Sequence, residues 1–152
     1  MRCWIAILML LGVATVSSVA ASGKVAKVLP HFLDLKGRHT LSPSLYDRDA
    51  YQAKLRQNPE QRSGVRFDIL WRARDAKPDE NASLIVELRG SAKGELPTRA
   101  VLELPVKVTG TSHWSKITLD GEEYKNFGEI TAWRVTLWVG DELISEQKSF
   151  LW

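Results

Sequence analysis

The stretch VRFDILWRAR, residues 65–74, decides the fold class of this chain. Its apolar residues recur at every second position: Val65, Phe67, Ile69, Trp71 and Ala73. Charged residues fill the positions between them, with Leu70 as the one exception. A period of two is that of a β-strand with one face buried and the other in water. The stretch therefore predicts a half-buried antiparallel strand.

The same alternation continues along the rest of the chain. It predicts further strands near residues 28–35, 84–90, 100–108, 114–119, 133–139 and 142–152. About six or seven short strands at this spacing, with one or two small helices in the connections, are typical of a sandwich of two sheets. We therefore expect a mostly-β fold, an antiparallel β-sandwich.

Two strands carry features that are unusual for the middle of a sheet. Pro105 cannot donate a ladder hydrogen bond, so its strand is expected at an edge or broken by a bulge. In the last hairpin, a two-residue turn at Gly140-Asp141 would face Glu146 toward the core. A three-residue turn would instead face Ser145 and Gln147 inward. Both registers place polar side chains toward the core, which predicts an edge position or a bulge for the last strand as well.

Two short helices are predicted in the connections. Ser44 is suited to cap a helix near residues 44–57, with acidic residues near its start and basic residues near its end. Asp120 is expected to cap about one helical turn near residues 121–127, which Gly128 would end.

Residues 1–21 have the composition of a secretory signal peptide. Met1-Arg2 gives a basic start, residues 5–16 form an uncharged apolar core, and small residues follow. Cleavage fits after Ala20 or Ala21. The apolar core is far shorter than the roughly 20 residues that a membrane-spanning helix needs. We expect the chain to be exported, to the periplasm or outside the cell, and not to span a membrane after cleavage.

Residues 22–152 are predicted to form a single β-sandwich domain. The only cysteine, Cys3, precedes the apolar core of the signal peptide, so no disulfide is expected in the domain. Its core must then supply its stability, which is feasible at this length. The 21 basic and 18 acidic residues of the chain are interspersed, which excludes a nucleic-acid footprint.

No catalytic, metal or cofactor site is predicted. The three histidines, His31, His39 and His113, are far apart and lack metal-ligand spacing. Acidic residues pair only as neighbours, too close in sequence to flank one glycosidic bond. No serine lies in a nucleophile motif, and the domain has no cysteine nucleophile.

The tryptophans are the strongest candidates for ligand binding, because an exposed indole can stack on a sugar ring. Trp71 and Trp133 are in phase with aliphatic neighbours and are expected in the core. Trp138 shares a polar face with Arg134 and is the first candidate for an exposed indole, and Trp114, which follows a Gly/Thr/Ser loop, is the second. The predicted ligand-binding residues are Trp138, Trp114 and Arg134.

Residues 65–152 resemble secreted immunoglobulin-like and fibronectin type III-like modules in their strand spacing and alternation. The residue that carries the resemblance is Trp71, placed on an early strand like a core tryptophan. The chain departs from the pattern in having no cysteine pair and in placing Tyr124 in a helical turn. The stretch 132–152 is also similar to the ends of small exported bacterial proteins of unassigned role.

These features favour a non-enzymatic, exported binding or protein-interaction module of the cell envelope. Its partner would be an envelope or extracellular protein. The alternative is a carbohydrate-binding module that holds a polysaccharide with exposed tryptophans, and an enzyme with a dispersed site ranks third. Asn81 begins a glycosylation acceptor sequence, which matters only in a eukaryotic source.

Overall fold

The computed structural model describes residues 21–75, 81–92 and 96–152. Nearly all of the signal peptide predicted at residues 1–21 therefore lies outside the described residues. The described chain consists of seven strands, two α-helices and one 3-10 helix. The strands are β1 (Ser22–Asp34), β2 (Arg62–Arg74), β3 (Ala82–Ser91), β4 (Pro97–Val106), β5 (Ser112–Asp120), β6 (Glu129–Val139) and β7 (Glu142–Lys148). The helices are α1 (Leu45–Gln57), the 3-10 helix (Pro59–Gln61) and α2 (Gly121–Phe127).

The strands form two antiparallel sheets. The three-stranded sheet has the order β1-β2-β5, and the four-stranded sheet has the order β4-β3-β6-β7. Strand β2 is the central strand of the first sheet, and it is antiparallel with one face buried, as the alternation of residues 65–74 predicts. The prediction of a mostly-β antiparallel sandwich with short helices in its connections is confirmed. In the described part of the chain, no helix is long and apolar enough to cross a membrane.

The core lies between the two sheets. Each strand contributes the apolar half of its alternation, and the residues most deeply buried are Phe67, Ile69, Leu84, Val86, Leu88, Val135 and Leu137. Burial of these side chains is the main source of stability, since each contributes about 1.5–3 kcal/mol relative to an exposed position. Trp71 belongs to this core, as predicted, and its indole Nε1 donates to Ser115 Oγ at 2.9 Å.

Both strands predicted to be irregular lie at sheet edges. Strand β4, with Pro105 opposite Ser83, is the outer strand of the four-stranded sheet, and its register with β3 is unbroken. Strand β7 is the other edge of that sheet. A two-residue turn pairs Val139 with Glu142, and a bulge at Ile144 then brings Leu137 opposite Ser145. The last hairpin therefore has both the edge position and the bulge.

The bulge of β7 fits this strand against β1. The Ser145 hydroxyl accepts a hydrogen bond from the Val25 amide at 3.0 Å. Ile144 packs beside Gly23, where a Cβ would lie 2.9 Å from Ile144 Cγ2 and 2.7 Å from the Arg72 carbonyl oxygen. Only glycine fits at position 23, because a side chain there would displace backbone atoms.

The two helices are present, and each differs in detail from its prediction. Helix α1 has Ser44 as its N-cap, with the Ser44 hydroxyl accepting from the Asp47 amide as expected of a capping pair. Helix α2 spans seven residues, about two turns rather than one. Asp120 occupies its N-cap position, but the side chain makes no capping hydrogen bond, so the expected capping mechanism is wrong. The first strand, expected at 28–35, begins earlier, at Ser22.

Candidate functional site

The two sheets separate where β7 ends. Near the start of β1, strand β7 fills the gap between β1 and β6. Strand β7 ends at Lys148, and past that point an open cleft of about 240 Å³ lies between the edges of β1 and β6. We call it the β1–β6 cleft. Its lining is Pro30, Phe32, Arg56, Val65, Phe67, Ile130, Thr131, Trp133 and Ser149. It is mainly apolar, as small-ligand and side-chain pockets generally are.

The floor of the cleft is aromatic. Phe67 is fully buried, and its ring meets the indole of Trp133 edge-to-face with centroids 6.3 Å apart. Trp133 is only partly buried, because the strand that would cover it has ended. The prediction that Trp133 lies in the core therefore holds for one side of the indole, and its other side faces the cleft.

The β1 wall of the cleft is held in place by Arg62. This buried guanidinium lies 4.0 Å from the centroid of the Phe32 ring, a cation–π contact. Its Nε donates to the Leu55 carbonyl oxygen at the end of α1, and it forms an ion pair of 3.0 Å with Glu129 on β6. Arg62 thus joins β1, α1 and β6, and its contact with the ring of Phe32 supports one wall of the cleft.

One strand edge at the cleft lacks a partner strand. The pairing of β6 with β7 runs from Val139 to Arg134, and Ser149 extends it to Trp133. In the described part of the chain, Glu129–Ala132 have a strand partner only on the β3 side. The unpaired edge of β6 therefore borders the cleft, and unpaired edges are the places where other chains add to a sheet.

Residues 149–152 form a tight turn beside the cleft, which we call the 149–152 turn. The Ser149 amide donates to the Trp133 carbonyl oxygen at 2.9 Å, and the Trp133 amide donates to the Ser149 hydroxyl at 3.0 Å. The Trp152 amide then donates to the Ser149 carbonyl oxygen at 3.2 Å. These bonds fix the first residue of the turn to β6.

Two arginines hold the other end of the turn. The guanidinium of Arg89 lies 4.0 Å from the centroid of the Trp152 ring, and that of Arg134 lies 5.0 Å from it. Arg134 is itself held by Glu87, with a 2.6 Å bond from its Nε to the carboxylate. Trp152 is therefore anchored on the outer face of the four-stranded sheet by two cation–π contacts.

The two residues between these anchors are exposed. Phe150 is fully accessible to solvent, and Leu151 is 71% exposed. Both residues that flank this apolar pair, Ser149 and Trp152, are held by the contacts described above. The turn therefore presents an ordered apolar tip directly beside an apolar cleft.

The structure does not bring the three predicted ligand-binding residues together. Trp138 and Arg134 lie on the outer face of the four-stranded sheet, about 13 Å apart along β6. Trp114 lies on β5, on the outer face of the other sheet, beside Leu70. The assignment of these residues to ligand binding stays a prediction, but no single surface contains all three.

The local surroundings of these residues also differ from one another. Trp114 is 53% exposed, whereas Trp138 is partly buried and its Nε1 donates to Thr136 Oγ1 at 2.9 Å. Trp114 is thus the more accessible indole, the reverse of the order that the sequence favoured. Arg134 is engaged by Glu87 and Trp152 and serves the 149–152 turn.

A cluster of polar side chains, His31, Asp68, Arg66 and His39, lies on the outer face of the three-stranded sheet. His31 Nε2 is 3.6 Å from Asp68 Oδ2, which also accepts from Arg66 at 2.8 Å, and the ring of His39 is 5.4 Å from that of His31. Arg66 Nε and Asp68 Oδ1 are buried without a protein hydrogen-bond partner. Burial lowers the pKa of His31 and of His39, an effect larger than the opposing attraction of Asp68.

The described residues contain no group of three or more His, Cys, Asp and Glu side chains that could hold a metal ion. His31 and His39 meet across a loop and His113 lies elsewhere, against Trp71 with ring centroids 5.8 Å apart.

Comparison with protein-family models, curated proteins and solved structures finds no match to this chain. The resemblance to immunoglobulin-like and fibronectin type III-like modules therefore stays a prediction.

The sequence analysis missed both the cleft and the turn. The cleft exists because β7 is shorter than β6, and no residue pattern marks where pairing must stop. The sequence pattern extends the last strand through residues 149–152 (SFLW), but β7 ends at Lys148 and these four residues form the turn instead. Its contacts with Arg89 and Arg134 depend on the sheet being assembled, so they could not be derived from spacing.

Proposed function

We propose that this protein is an exported, non-enzymatic binding module that engages another protein of the cell envelope. The observation that carries the proposal is the ordered, exposed tip of the 149–152 turn, at Phe150 and Leu151, beside the β1–β6 cleft. Together they form one corner of the sandwich, which we call the apolar corner.

The energetics of exposed apolar groups support this reading. Single exposed apolar residues are ordinary, but a phenyl ring held out by anchors on both sides gains nothing from the fold. Removing such a ring from water in a complex is favourable by about 1.5–3 kcal/mol. Because the turn is already ordered, little conformational entropy would be lost on binding.

The chemistry of the cleft favours binding over catalysis. Of its described lining residues, Arg56 is the only one with an ionisable side chain, and that lining offers no carboxylate or imidazole to act as an acid or a base. The Ser149 hydroxyl accepts from the Trp133 amide and has no base beside it in the cleft lining. A side chain of another protein fits this lining better than a reacting substrate does.

Site-specific photo-crosslinking in the native envelope tests the proposal. A photoreactive phenylalanine analogue is placed at position 150 and, as a matched control, at Tyr46, an exposed aromatic residue on α1. We expect discrete protein adducts from position 150 and none of the same mass from position 46. Adducts with a second copy of this chain count as support. Absence of adducts at 150, or the same adducts at both positions, would contradict the proposal.

A carbohydrate-binding role is the second candidate, and one observation favours it. Trp114 lies half-exposed on the outer face of the three-stranded sheet, with Lys116 two residues along the same face. A flat, accessible indole beside a polar side chain is suited to stack on a sugar ring of a polysaccharide. This face is separate from the apolar corner, so the two functions can be tested independently.

A further inference from the structure

We propose that the partner at the apolar corner is a second copy of this chain, bound by reciprocal insertion of Phe150 into the β1–β6 cleft. This inference rests on the proposed function and names its partner. One molecule carries both a protruding apolar side chain, Phe150, and an apolar cavity, the β1–β6 cleft, at the same corner. We call Phe150 the knob and the cleft the hole.

The knob and the hole match in size and chemistry. The cleft has a volume of about 240 Å³ and an aromatic floor of Phe67 and Trp133. A cavity of roughly 150 Å³ is enough to hold benzene, so a phenyl ring with neighbouring apolar atoms fits. A ring entering the cleft would meet the exposed side of the Trp133 indole, and pairs of aromatic rings attract beyond their buried area.

The positions of the knob and the hole favour a symmetric pair. Ser149 lines the cleft, and Phe150 is the next residue, fully exposed and so out of contact with its own cleft. A two-fold axis beside the corner would place each Phe150 over the partner's cleft. Such an interface is self-complementary, which is the requirement for a two-fold dimer.

Strand edges add to the same interface. The unpaired edge at Glu129–Ala132 borders the cleft, and in a two-fold pair the turns of the two copies would lie along these edges. Backbone groups at the edges could then be satisfied across the interface. The closed, reciprocal geometry also uses both knobs and both holes, so it leaves none available for continued growth into a filament.

Analytical ultracentrifugation of the purified protein tests the inference. The unaltered protein is expected to dimerise, and Phe150→Ala is expected to weaken association by roughly a hundredfold or more, because each dimer loses two buried rings. Tyr46→Ala removes an equally accessible aromatic ring on α1 and is expected to leave association unchanged. Since Phe150 makes no contact within the fold, circular dichroism and melting temperature should match the unaltered protein.

A complementation experiment separates reciprocal insertion from general apolar adhesion. Thr131→Arg places a long charged side chain at the cleft mouth and should also abolish dimerisation, with its own melting curve as the folding control. In a mixture of the two variants, the Thr131→Arg protein supplies an intact Phe150 and the Phe150→Ala protein supplies an open cleft to receive it. We expect this mixture to form a heterodimer that neither variant forms alone.

Three results would overturn the second-copy inference: a protein that stays monomeric up to about millimolar concentration, a Phe150→Ala variant that dimerises as well as the unaltered protein, or a mixture that stays monomeric. If the protein is monomeric but photo-crosslinks a different envelope protein from position 150, the inference fails and the proposed function stands. If neither association nor adducts depend on position 150, both fail.

Discussion

At the scale of single residues, Asp34 has the most demanding surroundings in the described chain. Its carboxylate is buried and accepts hydrogen bonds from the Lys36 and Arg38 amides, the Arg38 guanidinium and the Tyr51 hydroxyl, at 2.7–2.9 Å. Burial alone would raise its pKa, but these donors lower the pKa of Asp34 well below 3.8. Asp34 thereby ties the loop after β1 to helix α1.

Asp34→Asn is expected to destabilise the protein by about 3 kcal/mol at neutral pH, because an amide presents a donor where donors already converge. A depressed pKa contributes stability above the unfolded value of 3.8, and that stability is lost as the pH falls through the lower, folded value. The difference between the two proteins should therefore shrink below pH 3.8. Urea unfolding at neutral and acidic pH measures it.

Asp49→Asn is the matched control, since the Asp49 side chain is 71% exposed and forms a surface ion pair with the neighbouring Arg48. Surface pairs of this kind contribute about 0–1 kcal/mol. If Asp34→Asn costs no more than Asp49→Asn, the Asp34 network does not hold the loop in place.

Sequence reasoning reached some residues and not others, for a physical reason. The burial of Phe67 and Ile69 follows from alternation, which is a local property of one strand. The role of Asp34 depends on Tyr51, which a helix brings across from another part of the chain. Trp138 was ranked above Trp114 because its strand neighbours are polar, but exposure depends on the adjacent strands, which a single strand pattern does not specify.

At the scale of secondary-structure elements, β7 is a bulged edge strand with polar residues on its inward face. Its inward positions carry Ser145 and Gln147, opposite Leu137 and Val135 of the core. The Ser145 hydroxyl is bonded to the Val25 amide, whereas Gln147 Oε1 is buried without a protein hydrogen-bond partner. Two polar residues on one face of one strand therefore have opposite effects on stability.

Gln147→Leu is expected to stabilise the protein by about 1 kcal/mol, because it removes a buried acceptor and adds apolar surface to the core. Ser145→Ala in the same strand is expected to destabilise it by about 1 kcal/mol, because the Val25 amide loses its acceptor. Urea unfolding of both variants measures the two changes. A Gln147→Leu variant less stable than the unaltered protein would show that the amide is satisfied in solution.

The sequence identified β7 as irregular and left its register open for the same reason. Each register of the last hairpin placed polar residues inward, so neither had a clear local advantage. The bulge at Ile144 is selected by contacts with β1, at Gly23 and Val25, more than a hundred residues earlier in the chain. The edge positions of β4 and β7 were predictable from Pro105 and from the polar and apolar residues that share one face of β7. An edge strand tolerates both a proline, which cannot donate to the ladder, and polar residues on its inward face.

At the scale of the whole molecule, the two outer faces of the sandwich differ in character. One presents Trp114, and the other presents the Arg134–Glu87 ion pair, with Trp138 partly buried farther along β6 beside Ser83 and Leu143. The carbohydrate alternative therefore predicts that only one face responds to a polysaccharide. The division into two sheets was predictable from strand number and spacing, but which indole faces solvent was not.

If that alternative is right, Trp114→Ala should abolish polysaccharide binding with little change in melting temperature, since the indole is half-exposed. Trp138→Ala is the comparison, and it should retain binding. Tryptophan fluorescence titration with a panel of polysaccharides measures both. Binding that survives Trp114→Ala, or no binding by the unaltered protein to any of the panel, would remove this candidate.

The order of strands in the three-stranded sheet also determines which parts of the fold can form first. Strand β2 pairs with β5, and the whole of β3 and β4 lies between them in sequence. The β3–β4 hairpin can form from neighbouring residues, but the first sheet is complete only after a long loop has closed. Such non-local topologies fold on the order of milliseconds to seconds. During that interval the edge of β2 that β5 will cover is open to any other strand, so this chain is most vulnerable to aggregation before β5 arrives.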